Sequence, residues 1–376
     1  MELFRIMPCR ESALQATIEG FQQTGIPLIT FNDECNLGKA AGLGPSGFTE
    51  NVGSYYLIPK LVEWMNINLD AAILLFYNGI VSISFLSGLI GSWRLCQSQQ
   101  GRWISCMALA LLSFIIAAIG DYYILAGTTA IALVPWWLYL QYRPLMKSHF
   151  FYFAITGVIL GISHYTRSHS GTGVLLFLLF ALLISSRFQL KLKLGFLVIL
   201  IAGFMSVAVY FETLIETRNT HLQSITTPHD TTVRRAFWHN VYYSLGYLYN
   251  YYGLKPSDSH SVIKARSIDP NISLFSPEYE ALLRGEFFKF LKAHPFFVLN
   301  TLFAKFGICL MYLLIFGNIG LIYALLYPRE VTFTLAFAIG VGFNMLFGLL
   351  ATPDYQYFMG LFAFATLYGV YSIDHA

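Results

Sequence analysis

From Leu69 onward, long apolar runs alternate with short polar breaks. The runs fall at 69–93, 103–119, 122–141, 149–165, 172–186, 193–212, 307–327, 331–350 and 355–372. Crossing the hydrocarbon core of a bilayer takes about 20 apolar residues of helix. The pattern therefore predicts about nine transmembrane helices, the shorter ones tilted or sharing boundaries. Two stretches interrupt it, 1–68 and 213–306, and the second is too long to be a mere connector. It ends in YEALLRGEFFKFLKAHPFFVLNTLFAKF, where aromatic and aliphatic residues recur at helical spacing among lysines. That spacing predicts an amphipathic helix lying on the membrane surface. The expected organisation is an all-α polytopic membrane protein in four parts. These are an outer N-terminal segment (1–68), a first transmembrane group (69–212), an outer loop (213–306) and a second transmembrane group (307–376).

Composition supports the membrane reading. Of 376 residues, 56% are hydrophobic and 11% charged, and mean hydropathy is +0.59. A soluble domain carries roughly 25% charged residues. A net charge of +3, scattered along the chain, gives no basis for nucleic-acid binding. The five cysteines form no CxxC pair and no metal-ligand spacing, so neither a zinc site nor a disulfide framework is expected. Cys9 and Cys35 could pair if both lie outside the cell, but unpaired thiols are the preferred reading.

Positive charge sets the orientation. RLCQSQQGR (94–102), RPLMK (143–147), RFQLKLK (187–193) and PRE (328–330) occupy alternate connections, and short loops bearing Lys and Arg stay in the cytoplasm. The opposite connections, GDYY (120–123), TRSHSG (166–171), 213–306 and TPDYQY (352–357), then face outward. Residues 1–68 join them, with eight acidic residues (counted through Asp70) against four basic ones. An outer Met1 has no signal peptide or earlier helix to carry it across. Either the segment is translocated unaided, or an N-terminal helix is missing from this chain, which is the preferred reading.

The outer side gathers the polar residues with chemistry to offer. ITFNDECN supplies the adjacent acids Asp33 and Glu34, and GDYY supplies Asp121. TRSHSG supplies Arg167 and His169, and TTPHDTTVRRAFWHN supplies His229, Asp230, Arg234, Arg235, Trp238 and His239. TPDYQY adds Asp354. Each has a structural alternative: Asp121 as a helix N-cap, Asp33 and Glu34 as a solvated turn, Arg234 and Arg235 on a wet loop. Asp354 reads as a helix start. Arg167 is harder to dismiss, because an ionisable group at a membrane boundary is expensive to hold there. Its fork suits bidentate phosphate binding, and neighbouring Gly and Ser let backbone N–H groups approach an anion. The alternative is an arginine snorkelling to lipid phosphate.

Taken together, the many spans, the acid pair in the first outer segment, Asp121 in an outer turn and R-S-H-S-G before a later helix resemble the GT-C class of glycosyltransferases. These use polyprenyl-phosphate sugars, and the class includes protein mannosyltransferases and lipid A aminoarabinose transferases. FWHNVYYSLGYLYNYYGL adds to the resemblance. The likeness implies transfer of a sugar from a polyprenyl-phosphate donor to an extracytoplasmic glycan, lipid or protein acceptor, in a bacterial plasma membrane. It further implies Asp33 as base, Glu34 and Asp121 supporting the acceptor or a divalent metal, and Arg167 holding donor phosphate. His169 and His239 are further substrate-binding candidates. Two departures stand out: the first helix expected before the acid pair is absent, and the spans are few. A polysaccharide polymerase remains an alternative. So does a transporter or flippase, although 69–93 and 331–350 carry almost no charge and no two matching broken helices are evident.

Overall fold

The computed structural model describes residues 8–30, 46–47, 51–185, 187–225, 237–272, 274–327 and 331–374. Among them are fourteen α-helices and one two-stranded antiparallel pair, β1 (Ile29–Thr30) with β2 (Ser46–Gly47). Two helices precede the spans, α1 (Pro8–Thr24) and α2 (Val52–Met65). The bundle begins with α3 (Leu69–Leu95), α4 (Gln99–Ala117), α5 (Leu125–Gln141, after a 3₁₀ turn at Tyr122–Ile124), α6 (Lys147–Thr166), α7 (Thr172–Ile184) and α8 (Leu190–Ile225). Three helices, α9 (Phe237–Tyr243), α10 (Asp258–Ile268) and α11 (Pro277–Ala293), form a unit called the outer unit after the side on which the charge pattern is expected to place it. The chain then returns through α12 (Pro295–Leu326), α13 (Val331–Leu350) and α14 (Met359–Asp374).

Helices begin where the local chemistry favours a start. The Asn68 side chain accepts from Ala71 N at 2.8 Å to open α3, and Ser98 accepts from Gly101 N at 2.8 Å to open α4. Such caps satisfy N–H groups that have no partner within the helix. Ser276 caps α11 with Pro277 behind it, a residue whose fixed φ suits the first turn.

Helices α5 and α14 form the axis of the bundle. Almost every side chain of α14 is buried, as is most of α5. Around them, α3, α4, α8 and α12 turn large apolar side chains outward, among them Ile83, Met107, Val198 and Leu314. Polar or buried axis helices ringed by outward-facing apolar ones suit a bilayer, where no hydrophobic penalty attaches to that exposure. Pro135 interrupts the ladder of α5. Nearby carbonyls find partners on neighbouring helices: Ser87 donates to Ala132 O at 3.0 Å, and Tyr152 donates to Leu133 O at 3.0 Å. Within lipid, such replacement is what makes a helix-breaking proline tolerable. Gly157 meets the α8 backbone, and Gly320 meets Gly369 between α12 and α14; a Cβ at either would overlap backbone atoms.

All nine apolar runs contain helix, and among the described residues six helices are long and apolar enough to be candidate spans: α3, α4, α5 with its 3₁₀ turn, α8, α12 and α13. Three of the nine expected spans do not meet both criteria. With 13 and 16 residues, α7 and α14 reach only about 20–24 Å at 1.5 Å per residue, short of the roughly 30 Å core. α6 is long enough but begins at Lys147 and carries His149 and His164. Two boundaries also move. α8 continues to Ile225, past the expected end at 212, and α12 begins at Pro295 rather than 307. The predicted surface helix spanning 279–306 is accordingly two helices, broken at His294–Pro295 where proline cannot continue α11.

The outer unit has its own small core, built on Tyr242, Leu245, Leu254, Tyr279 and Leu283 with Val298 from α12. It is seated on the bundle by Ser244, whose Oγ donates to Leu350 O at 3.1 Å. At the opposite end lie the basic connections. Arg187 donates to the carbonyls of Gln141 and Arg143, and Asp374 accepts from Gln97 N and Ser98 Oγ. Cys96, Cys106 and Cys309 are free thiols; Cys35 lies outside the described residues.

Candidate functional site

The tight turn before α5 organises one end of the bundle. Gly120 adopts a positive φ of 61°, and Asp121 then starts the 3₁₀ turn, its Oδ1 accepting from Tyr122 N at 2.6 Å. Asp121 is therefore an N-cap, as its position suggested. It is also 2% exposed and forms an ion pair with Arg10, reached from α1. The capping carboxylate thus ties the N-terminal helix to the bundle.

Two tyrosines follow Asp121 and collect two arginines. The Arg10 guanidinium lies 4.0 Å from the Tyr122 ring centre and 4.9 Å from that of Tyr123. The Arg167 guanidinium lies 3.8 Å from the Tyr123 ring centre and 4.7 Å from that of Tyr122. Each contact of this kind is worth on the order of 0.5–2 kcal/mol, more when desolvated. Arg10 also donates to Tyr123 Oη at 3.3 Å, and Tyr123 Oη donates to Tyr357 Oη at 3.4 Å. Among the described residues, the site is a nest of aromatic faces holding two cations and one carboxylate. Arg167 reaches it because α6 ends there: its backbone is extended (φ −149°), and its N–H closes the helix on Ser163 O at 2.9 Å. Its guanidinium rests on protein aromatics.

Other expected residues go elsewhere. His169 is exposed at a left-handed position (φ 66°) in the turn between α6 and α7, its ring centre 6.0 Å from that of His164. His239 belongs to the core of the outer unit rather than to the arginine nest. It is buried, with Nδ1 on Tyr279 Oη at 2.6 Å and Nε2 on Asp258 at 3.2 Å. These bonds, with Glu280 accepting from the backbone N–H groups of Trp238 and His239, give it a structural setting. Asp354 accepts from Thr352 Oγ1 at 2.7 Å and starts a short 3₁₀ turn, Tyr355–Phe358, as expected of a helix start. Asp33, Glu34, His229, Asp230, Arg234 and Arg235 lie outside the described residues. Among the described residues, no three His, Cys, Asp or Glu side chains are grouped to hold a metal.

The outer unit meets this nest through Tyr243. Burial, with Asp258, Tyr123 and Asp354 nearby, pushes the Tyr243 hydroxyl up to about 12, so it remains a neutral donor at physiological pH. A further cation, Lys305, is buried in α12 and donates to Leu349 O at 3.2 Å. It sits at the C-terminal end of α13, where a cation complements the helix dipole.

Arg10 and the Tyr122–Tyr123 pair were not among the residues singled out from sequence. The doubled tyrosine directly after Asp121 was the available signal, since aromatic faces beside a membrane boundary attract cations. Arg10 gave none: α1 has little amphipathic pattern, and only tertiary packing brings it to Asp121. Comparison with family models, curated proteins and solved structures finds no match to this chain.

Proposed function

We propose that this chain is a multi-pass membrane glycosyltransferase that draws on a polyprenyl-phosphate sugar. The observation that carries the reading is the convergence of Arg10 and Arg167 on Tyr122 and Tyr123 beside Asp121, at the end of the bundle opposite its basic loops. An anionic headgroup presented from the bilayer would meet the two guanidinium groups there. In this reading Arg167 holds the donor phosphate, and as the bond to the anomeric carbon breaks it stabilises the negative charge left on that phosphate. A carboxylate takes the proton of the attacking acceptor hydroxyl. That role is assigned to Asp33 or Glu34 on sequence grounds, because Asp121 is already engaged as cap and ion-pair partner. The alternating Lys and Arg loops support an extracytoplasmic site, with the six candidate spans supplemented by the shorter helices packed among them.

The test is transfer by purified protein from a polyprenyl-phosphate sugar. Arg167→Ala should lower turnover by about 10²–10³-fold, the usual effect of removing one transition-state donor. Arg167→Lys should recover only part, because it keeps the charge without the planar fork. Both variants should retain the wild-type fold. Normal turnover in Arg167→Ala would remove this residue from the mechanism.

A further inference from the structure

One surface of the outer unit has no place in the arginine nest. The loop at 247–253 presents Tyr249 and Tyr251 almost entirely free of the protein, 87% and 93% exposed. This presentation is built by the loop itself. Asn250 at its centre donates to the carbonyls of Leu248 (2.9 Å) and Leu254 (3.1 Å) and accepts from the N–H groups of Tyr252 (3.1 Å) and Leu254 (3.0 Å). Gly253 supplies the positive φ of 75° that closes the turn. A polar side chain thus holds the backbone inward while the flanking tyrosines point away. Large exposed aromatics grouped on a rigid turn mark a contact surface.

The neighbouring helix indicates what covers it. Tyr252 packs on His294, Phe290 and Phe297, with ring centres 4.3, 5.3 and 5.1 Å away, which places the loop beside the first turn of α12. That helix exposes large apolar side chains along its whole length, from Phe296 (80% exposed) through Phe303 and Leu314 to Leu325. The helix kinks at Asn318 (φ 30°), and the stretch before the kink, 295–317, is roughly 34 Å long at 1.5 Å per residue. The hydrocarbon core is about 30 Å thick and the bilayer with its headgroups about 40–45 Å. That stretch alone therefore crosses the core and reaches its edge. Its first turn, and the loop beside it, then lie at headgroup level. Tyrosine is enriched at that level, where its ring meets acyl chains and its hydroxyl meets water. Lys292, exposed in the last turn of α11, adds a cation for lipid phosphate.

We propose that the loop 247–253 is a membrane foot: Tyr249 and Tyr251 insert into the outer headgroup layer and fix the height of the outer unit above the bilayer. The partner is the phospholipid surface itself. The foot depends on the membrane-spanning assignment of α12 and is independent of any catalytic role.

The experiment uses the full chain in phospholipid nanodiscs. A nitroxide is attached at Tyr251→Cys, and for reference at Ser267→Cys on α10, in a background where Cys9, Cys35 and Cys106 are serine. Collision rates with dissolved oxygen and with a water-soluble nickel chelate are compared. At 251, oxygen should dominate and nickel access should be several-fold lower than at 267. In detergent-free nanodiscs with nickel-chelating headgroup lipids, the label at 251 should respond more strongly than that at 267. Equal nickel access at the two sites, with no response to the modified lipids, would overturn the proposal. Protection at 251 by soluble oligosaccharide, with the label otherwise in water, would also overturn it and assign the tyrosines to a glycan. Because both tyrosines are exposed, Tyr249→Ser/Tyr251→Ser should leave thermal unfolding in detergent unchanged. A large loss there would show that they pack within the protein and would equally refute the foot.

Discussion

The ion pair between Arg10 and Asp121 should govern how firmly α1 is held on the bundle. Its partners are buried, with side-chain exposures of 13% and 3%. Asp121→Asn keeps an oxygen for the cap on Tyr122 N and so isolates the loss of charge. Breaking one side of a buried pair costs about 3–5 kcal/mol. Here the stranded guanidinium keeps the faces of Tyr122 and Tyr123 and its bond to Tyr123 Oη, and one neutral hydrogen bond offsets about 1 kcal/mol. The expected loss is therefore about 2–4 kcal/mol. Arg10→Met strands the carboxylate instead and should cost at least as much. With both groups neutral no charge is left buried, so the double variant should lose less than the sum of the singles, with a coupling on the order of 2 kcal/mol. Hydrogen exchange of residues 8–24 in the detergent-solubilised protein reads this locally. At 1.36 kcal/mol per factor of ten, each single variant should exchange there roughly 30- to 900-fold faster, and the double variant should recover part of the protection. Unchanged exchange in the single variants, or strictly additive losses, would refute the idea that this pair docks α1.

Three further outcomes follow from the same structure. Gly320→Val should force α12 and α14 apart and lower thermal stability by about 1–3 kcal/mol or more, whereas Gly307→Val, on the same helix with open space around it, should not; similar unfolding of the two variants would argue against the close crossing. His260 stacks on Tyr242, its Nε2 is buried without a hydrogen-bond partner among the described residues, and burial together with Lys255 and Lys264 holds its pKa below the ordinary value. The folded state then prefers the neutral ring, so stability should be intact above about pH 6.5 and decline as pH falls below it, where the unfolded chain takes up the proton first; His260→Gln should flatten that decline in thermal unfolding between pH 7.5 and 5.5. An impermeant maleimide applied to intact cells should label Ser267→Cys and spare Gln189→Cys, and the reverse pattern would invert the orientation.

Much of the membrane architecture was legible because hydrophobic runs and Lys/Arg breaks are local signals. Helix was found at every apolar run, and the turn at Asp121 and the end of α6 at Arg167 both fall where sequence placed them. Apolarity alone does not distinguish a lipid-facing helix from a short one buried by its neighbours, and α14, 16 residues and almost wholly buried, is the clearest case. The boundaries at Ile225 and Pro295 were missed because helices can continue past the membrane edge as polarity rises. At the candidate site, the cation at Arg167 stood out by its burial cost. Arg10 did not, since its partner lies more than a hundred residues away and only packing joins them. His239 drew attention as a conspicuous histidine, yet its two ring nitrogens are engaged within the outer unit's core.

The burial of α14 has a bearing on how the protein is made. Every helix it packs against, α4, α5, α12 and α13 among them, precedes it in the chain. At about 5–20 residues per second, more than two hundred residues separating α5 from α14 correspond to roughly 10–50 s of synthesis. During most of that interval the surfaces of α4 and α5 that face α14 lack the helix that will cover them, while pairs such as α6 with α8 and α3 with α5 are already able to form. A ribosome that stalls before Met359 would leave an unfilled groove within the bilayer, offering membrane quality-control proteases a surface that the finished protein hides.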